Sequence, residues 1–420
     1  MGENKQLLIG FEITNETSQI YYYQAQTGDA VPIFLTQNQS NPLFPTCLAV
    51  KESNKEWMIG EEAIRISSLG GSFLIENLLE NLEHQESITI YGAIFTPVML
   101  LTKFFKKAFM VVRQQFLNSS IQELVITVPN LTPNMTEMIY LSLEELGLLR
   151  DRVHIISQVQ SYMYYVLSQK PEIWMHDVSL FTYDETGLFY YNLTVNRRMQ
   201  PFTVIVDLMD LSNELTHEIF EQEPIERILY RLEKLMNQVL YRRLTSAVFV
   251  TGRGFEGNWV RDVLVRLSSS RRVFLGQNLY AKGACLAAKG FLDDSFQNYL
   301  FLNDEMITSN ISLRLYENAK EVDFCLVKAG IPWRKANNTV TVILDQTKEL
   351  AFIVTNLLNR EPLYEVLSLD GLMERENKTI RLSVTVHFID RETAIVTVRD
   401  VGFGVFYETN YRIWEQTLTL

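Results

Sequence analysis

The sequence predicts a two-lobed α/β domain followed by an all-β antiparallel sandwich domain, and three observations carry that expectation. Apolar strands alternate with amphipathic helices up to about residue 291, the order of an α/β layer. From about Asn310 the apolar period becomes two, as in half-buried antiparallel strands. Between these stretches lies the apolar run Tyr299-Leu300-Phe301-Leu302, closed by Asn303 and Asp304. At 420 residues the chain is also too long for one ordinary core. The expected boundaries are 1–175 for the first lobe, 176–297 for the second lobe with a returning connecting helix, 298–308 for an apolar linker and 309–420 for the β-domain.

In the first lobe, Leu7–Phe11 reads as a buried strand and Gln19–Tyr23 as its hairpin partner, with Ile13–Ser18 as the loop. Cys47–Val50 and Trp57–Gly60 are short strands leading into a helix at Glu61. Thr96-Pro97 opens a helix towards Leu117, the threonine capping it and the proline occupying its first position. Glu123–Pro129 is a continuous apolar strand. Thr132-Pro133 starts a helix with Met135, Met138, Ile139, Leu143 and Leu146 on one face, and Gly147 ends it. Val153–Ile156 is the next strand, and Val159, Tyr162, Met163, Val166 and Leu167 mark the helix after it.

The second lobe begins with a strand at Val178–Thr182. Its clearest element is a helix from Pro224 to Arg243, with Ile228, Leu232, Leu235, Met236 and Val239 at helical spacing. A strand at Ala247–Val250, a helix at Asn258–Leu267, a strand at Val273–Leu275 and a helix at Leu279–Phe291 complete it. In the β-domain, Thr339–Leu344, Leu350–Thr355, Ile380–Phe388 and Thr393–Val398 are alternating, β-branched segments separated by turns.

Composition narrows the function classes. The chain is 47% hydrophobic and 21% charged, as a globular protein is, and its net charge of −12 argues against nucleic-acid or anionic-membrane partners, whose binding rests on cationic neutralisation of phosphate. Cys47, Cys285 and Cys325 are widely spaced in apolar segments, which suits a reducing compartment. Met1 to Lys5 carries no basic and apolar leader, and the longest apolar stretches fall short of the roughly 20 residues a membrane span needs. A cytoplasmic location is expected. The five histidines have no metal-ligand spacing, so no metal is expected, and no GxSxG nucleophile elbow occurs. Gly252-Arg253-Gly254-Phe255-Glu256-Gly257 formally matches a dinucleotide fingerprint, but it follows a late strand and the next strand ends in Gly276-Gln277 without an acid.

Several segments in order resemble the DnaK-type heat-shock chaperones of the actin-like ATPase superfamily. Leu124–Val166 is similar to that family's middle stretch, Val248–Leu267 to its adenosine-motif strand and helix, and Tyr280–Ala284 to its second connecting helix. The apolar linker resembles the family's leucine-rich linker, and residues 330–401, with Gly330-Ile331-Pro332 and Leu367–Gly371, resemble its peptide-binding β-domain. The resemblance implies an actin-like two-lobe fold, here with a reduced upper second lobe, because Leu193–Glu223 is too short for the subdomain that closes over nucleotide.

The chemistry departs from the family. At the first phosphate loop the family's Asp, Gly and two Thr positions hold Glu12, Thr14, Asn15 and Glu16. A carboxylate repels a triphosphate, and a lost glycine removes the close backbone approach that phosphate oxygens need. The second phosphate loop is Tyr183-Asp184-Glu185-Thr186-Gly187-Leu188, so Gly187 remains and Asp184 and Glu185 add charge. The catalytic glutamate position falls on Gln158, whose amide takes no proton from water. The interval between Arg65 and Lys103, where the family's phosphate-facing lysine belongs, contains no lysine or arginine. The resemblance implies that Gly252, Arg253 and Gly254 are the remains of an adenine-site turn; Arg253 reads as a solvated turn residue, with an anion at a helix start as the alternative.

The resemblance therefore implies a chaperone-like pseudo-ATPase without catalytic residues and without a cofactor, binding a polypeptide partner or serving as a scaffold. Leu313, Leu315, Val340, Val342, Phe352 and Val354 are the candidates for a peptide groove, with sandwich core as their other reading. The alternatives are a slow ATPase holding ATP and magnesium with altered ligands, and an actin-like assembly protein.

Overall fold

The computed structural model describes residues 5–36, 41–117, 119–184, 186–198, 200–216, 219, 223–268, 271–303, 306–318, 320–357 and 361–420. The chain divides into two compact units, Met1–Tyr299 and Leu300–Leu420. The first is mixed α/β and the second is built on strands.

The first unit contains two sheets with the same plan. In one, strands run in the order Val153–Ser157, Ser119–Val128, Lys5–Ile13, Thr17–Gln24 and Asp29–Ile33, with Phe44–Pro45 also pairing Thr17–Gln24. The first three are mutually parallel and the last two continue antiparallel as a meander. In the other, the order Arg272–Leu275, Thr245–Thr251, Asp177–Asp184, Gly187–Asn196 and Phe202–Asp210 repeats those directions. The meander strands Gly187–Asn196 and Phe202–Asp210 were not expected from the sequence. Their alternation is mixed with buried polar residues such as Asn192, which blurs a period of two.

Local signals set the helices. Thr96 accepts from the Met99 amide and Thr132 from the Met135 amide, each with a proline in the first turn, and the helices run Pro97–Gln115 and Pro133–Glu144. Ser157 and Gln160 form a reciprocal capping box on Gln158–Leu167. Phe104, Phe105, Ala108, Ile139 and Leu143 bury one face of the first sheet together with Ile9 and Phe11. On the other face the helix Leu279–Asp293 crosses the opening strand at Gly10. A Cβ at Gly10 would overlap the Cys285 amide and stand 2.6 Å from the Ala281 carbonyl oxygen. At Gly283 a Cβ would overlap the Ser161 carbonyl of the helix Gln158–Leu167. These two glycines let backbone lie on backbone, which brings the amino-terminal turn of Leu279–Asp293 up to Glu12.

The helix expected at Asn258–Leu267 begins at Arg261, after a 3₁₀ turn Arg253–Phe255. Arg253 therefore opens this 3₁₀ turn and not the α-helix. Of the expected linker, Tyr299–Leu302 is a strand; Asp304 lies outside the described residues. Among the described residues no helix is long and apolar enough to cross a membrane.

The second unit has two four-stranded antiparallel sheets. One runs Lys320–Val327, Ser309–Glu317, Glu349–Asn356, Pro362–Ser368, and the other Asn338–Ile343, Arg381–Asp390, Thr393–Asp400, Ile413–Thr419. The alternating side chains of Arg381–Asp390 bury Leu382, Val384, Val386 and Phe388 against Leu313, Phe352 and Val354 of the first sheet in one core.

Candidate functional site

The opening strand delivers Glu12 to a buried position between its two neighbours, opposite Gln19 in register on one side and Thr127 on the other. All three side chains stand in one polar row across the sheet. The Gln19 amide donates from Nε2 to Glu12 Oε2 at 2.6 Å and to the Gln277 carbonyl at 2.9 Å. The half-buried Gln158 amide donates from Nε2 to Glu12 Oε1 at 2.9 Å. Burial raises the Glu12 carboxyl from its usual range to about 7; donation from Gln19, Gln158 and the Ala281 amide opposes that rise but does not cancel it. The carboxylate thus has both oxygens taken by the protein's own amides.

The turn that follows closes on itself. Thr14 Oγ1 accepts from the amides of Glu16 at 3.2 Å and Thr17 at 3.0 Å, and donates to the Thr17 carbonyl at 3.0 Å. A phosphate loop uses turn amides of this kind to hold phosphate oxygens; here a hydroxyl occupies them. Asn15 Oδ1 accepts from the amides of Leu79 and Glu80, both at 3.1 Å, and so satisfies the start of the helix Leu78–His84. Glu16 reaches the second sheet's turn, where Arg253 Nη1 donates to its carboxylate at 2.6 Å. Arg253 is solvent-exposed on its turn, as the sequence leads one to expect, and is also one half of an ion pair.

The far side is closed as tightly. The Gln277 side chain clamps Gly252 from both ends, accepting from its amide and donating to its carbonyl, each at 2.8 Å. Gly252 has φ +103°, and a Cβ there would overlap the Tyr183 carbonyl; at Gly254 a Cβ would overlap the Tyr183 ring. Those glycines serve packing against Tyr183. Asp184 Oδ1 turns back onto Thr186, accepting from its amide at 2.9 Å and its hydroxyl at 2.6 Å, and Gly187 lies against Ser212. Glu185 lies outside the described residues.

The structure therefore brings Glu12, Gln158, Glu16, Arg253 and Gly252 into one region, while Thr14 and Asp184 serve their own turns and Asn15 serves the start of the helix Leu78–His84. Sequence reasoning missed Gln19 and Gln277, the two residues that tie Glu12 to Gly252. A signal existed at Gln19: a glutamine inside an otherwise apolar strand needs a buried partner. Its Oε1, and the Oγ1 of Thr127, have no hydrogen-bond partner among the described residues.

The groove candidates are corrected by burial. Leu313, Phe352, Val342 and Val354 belong to the core between the two sheets, and Leu315 and Val340 pack against it, because each falls on the inward side of the strand alternation. Exposed apolar side chains occur instead on the edge strand Pro362–Ser368, at Leu363, Tyr364 and Val366.

A comparison with curated proteins gives no match. Residues 306–420 match a model described as Domain of unknown function (DUF8552). A model described as Family of unknown function (DUF5716) C-terminal matches residues 29–304, two-thirds of the chain, and the protein belongs to that family.

Proposed function

We propose that the chain is a chaperone-like pseudo-ATPase: an actin-like two-lobe domain that has given up efficient ATP hydrolysis, joined to a sandwich domain that binds a polypeptide or serves as a scaffold. The repeated strand order of the two sheets supports the two-lobe reading. One observation carries this reading: Glu12 is held by Gln19 and Gln158, the Glu16 and Thr17 amides of the following turn are held by Thr14, and Glu16 is paired to Arg253. Nucleotide entering there would have to break these bonds and bring phosphate charge to two carboxylates.

The binding role falls on the edge strand Pro362–Ser368. It ends its sheet, so its outer main chain can pair with an extended segment of a partner, and Tyr364 and Val366 offer alternate side chains on one face for selectivity. The partner is a polypeptide, with no nucleic acid, membrane or metal required, and the cytoplasm suits the free cysteines.

A second reading, a slow ATPase, draws support from the Glu12 carboxyl near 7 and the unpartnered Gln19 and Thr127 oxygens beside it, since a base is most effective near the working pH. Calorimetry with ATP and magnesium separates the two. No heat of binding and no phosphate release are expected; micromolar binding with measurable turnover would overturn the pseudo-ATPase reading.

A further inference from the structure

A concavity with an apolar floor and a charged rim lies far along the first sheet from Glu12, at the opposite ends of the same strands. It encloses about 730 Å³, within the range of small-molecule sites. Five elements converge on it: the opening strand at Leu7, the carboxy-terminal half of Pro97–Gln115, the start of Ser119–Val128, the turn Leu146-Gly147-Leu148 after Pro133–Glu144, and the short helix Arg150–Arg152. Leu7, Phe109, Val112, Phe116, Ile121 and Leu148 make the floor.

The rim carries Lys106, Arg113 and Arg152, with Glu145 as the one acid. Lys106, Phe109, Met110 and Arg113 recur at helical spacing, so cations and floor share one helix face. The three cations are exposed and form no ion pair among the described residues. Their neighbour Arg150, by contrast, is bound by both Glu137 and Glu144. In a chain of net charge −12, three unpaired cations around one apolar bowl are a local reversal of sign. The bland account, that Arg113 only answers the dipole of its helix terminus, leaves Lys106 and Arg152 unexplained.

We propose that this bowl binds a small anionic ligand with an apolar body, of the class of a medium-chain carboxylate. The chain would lie on Phe109, Val112 and Leu148, and the carboxylate would meet Lys106, Arg113 and Arg152 at the rim. The volume and the closed floor suit a small ligand better than an extended peptide, which needs an open groove with main-chain partners.

Titration of the intact protein with decanoate, decylammonium and acetate, followed by calorimetry at low and moderate salt, tests the assignment. Saturable decanoate binding that weakens with salt, at least about tenfold tighter than decylammonium or acetate, is expected. In the doubly substituted variant K106E/R113E, decanoate affinity should fall about tenfold or more with the circular dichroism and melting temperature retained, since both side chains are exposed. Equal binding of decanoate and decylammonium, unchanged affinity in K106E/R113E, or no decanoate binding would overturn the proposal. So would preference for an acidic apolar peptide that decanoate does not displace.

Discussion

Arg253 Nη1 and the Glu16 carboxylate meet at 2.6 Å although 237 positions separate them in the chain. Glu16 stands on the turn after the opening strand Lys5–Ile13 and Arg253 on the turn after Thr245–Thr251, the strand that in the repeated sheet plan corresponds to Ser119–Val128. The contact joins the two turns that the DnaK-like resemblance assigns to nucleotide, and it uses an acid that a phosphate loop would exclude. Both side chains are partly exposed, which limits the worth of the pair.

A double-mutant cycle of Glu16→Ala and Arg253→Ala should therefore give a coupling below about 1 kcal/mol, shrinking further in high salt. Urea denaturation of the four proteins measures it. A coupling of several kcal/mol would mean that the pair carries the junction and is not merely an exposed contact.

Glu12 should make stability fall as pH rises. Its folded pKa of about 7 exceeds the ordinary value of 4.5, so the folded state holds a proton that the unfolded state has lost between these limits. The contribution is full below about pH 4.5 and is lost as pH rises through 7, a change on the order of 3 kcal/mol. Glu12→Gln removes the titration, and relative to the parent it should gain stability between pH 5 and pH 8. One neighbouring amide must rotate to receive the new donor, and Gln158, half-buried, is free to do so. Parallel stability profiles for parent and variant would refute the assignment.

Gly283→Ala should destabilise the first unit by about 3 kcal/mol or more, because the added methyl overlaps the Ser161 carbonyl and rigid backbone has no rotamer by which to yield. Gly28→Ala, at a turn with φ +70° where a Cβ would meet only the Tyr23 hydroxyl at an ordinary 3.9 Å, should cost only about 1 kcal/mol of backbone strain. Melting temperatures of the two variants distinguish crossing from turn.

In the second unit, Arg375 donates to Asp400 at 2.9 Å, and both side chains are almost fully buried. Burial pushes the Asp400 carboxyl up, but the amides of Gly402 and Asn410 and the Arg375 guanidinium hold it below the usual range. Arg375→Ala leaves that carboxylate uncompensated and should cost about 3–5 kcal/mol. Hydrogen exchange should show the loss in Asp400–Arg412, which the pair anchors through the Glu408 carbonyl and Asn410 amide. Unchanged protection there would contradict this role.

Much of the element order was legible because its causes are local. Thr96-Pro97 and Thr132-Pro133 state their helix starts within four residues, and Leu382 to Phe388 states its strand by alternation alone. The strands of Gly187–Asn196 and Phe202–Asp210 were missed because buried polar groups interrupt their pattern: Asn192 donates to Asp177, and Tyr190 donates to Asn192.

The sequence by itself determined the change from α/β to mainly stranded architecture near residue 300, the caps, and the polar and acidic character of the turn Thr14, Asn15 and Glu16. These depend on residue type and spacing within a few turns of chain. Only the tertiary structure decided what these side chains meet: that Gln19 and Gln158 converge on Glu12, that Gln277 clamps Gly252, and that Leu313 and Phe352 fill a core. Such pairings follow from strand register and from the close helix crossing at Gly10, and a register displaced by one residue would turn every one of these side chains to the other face.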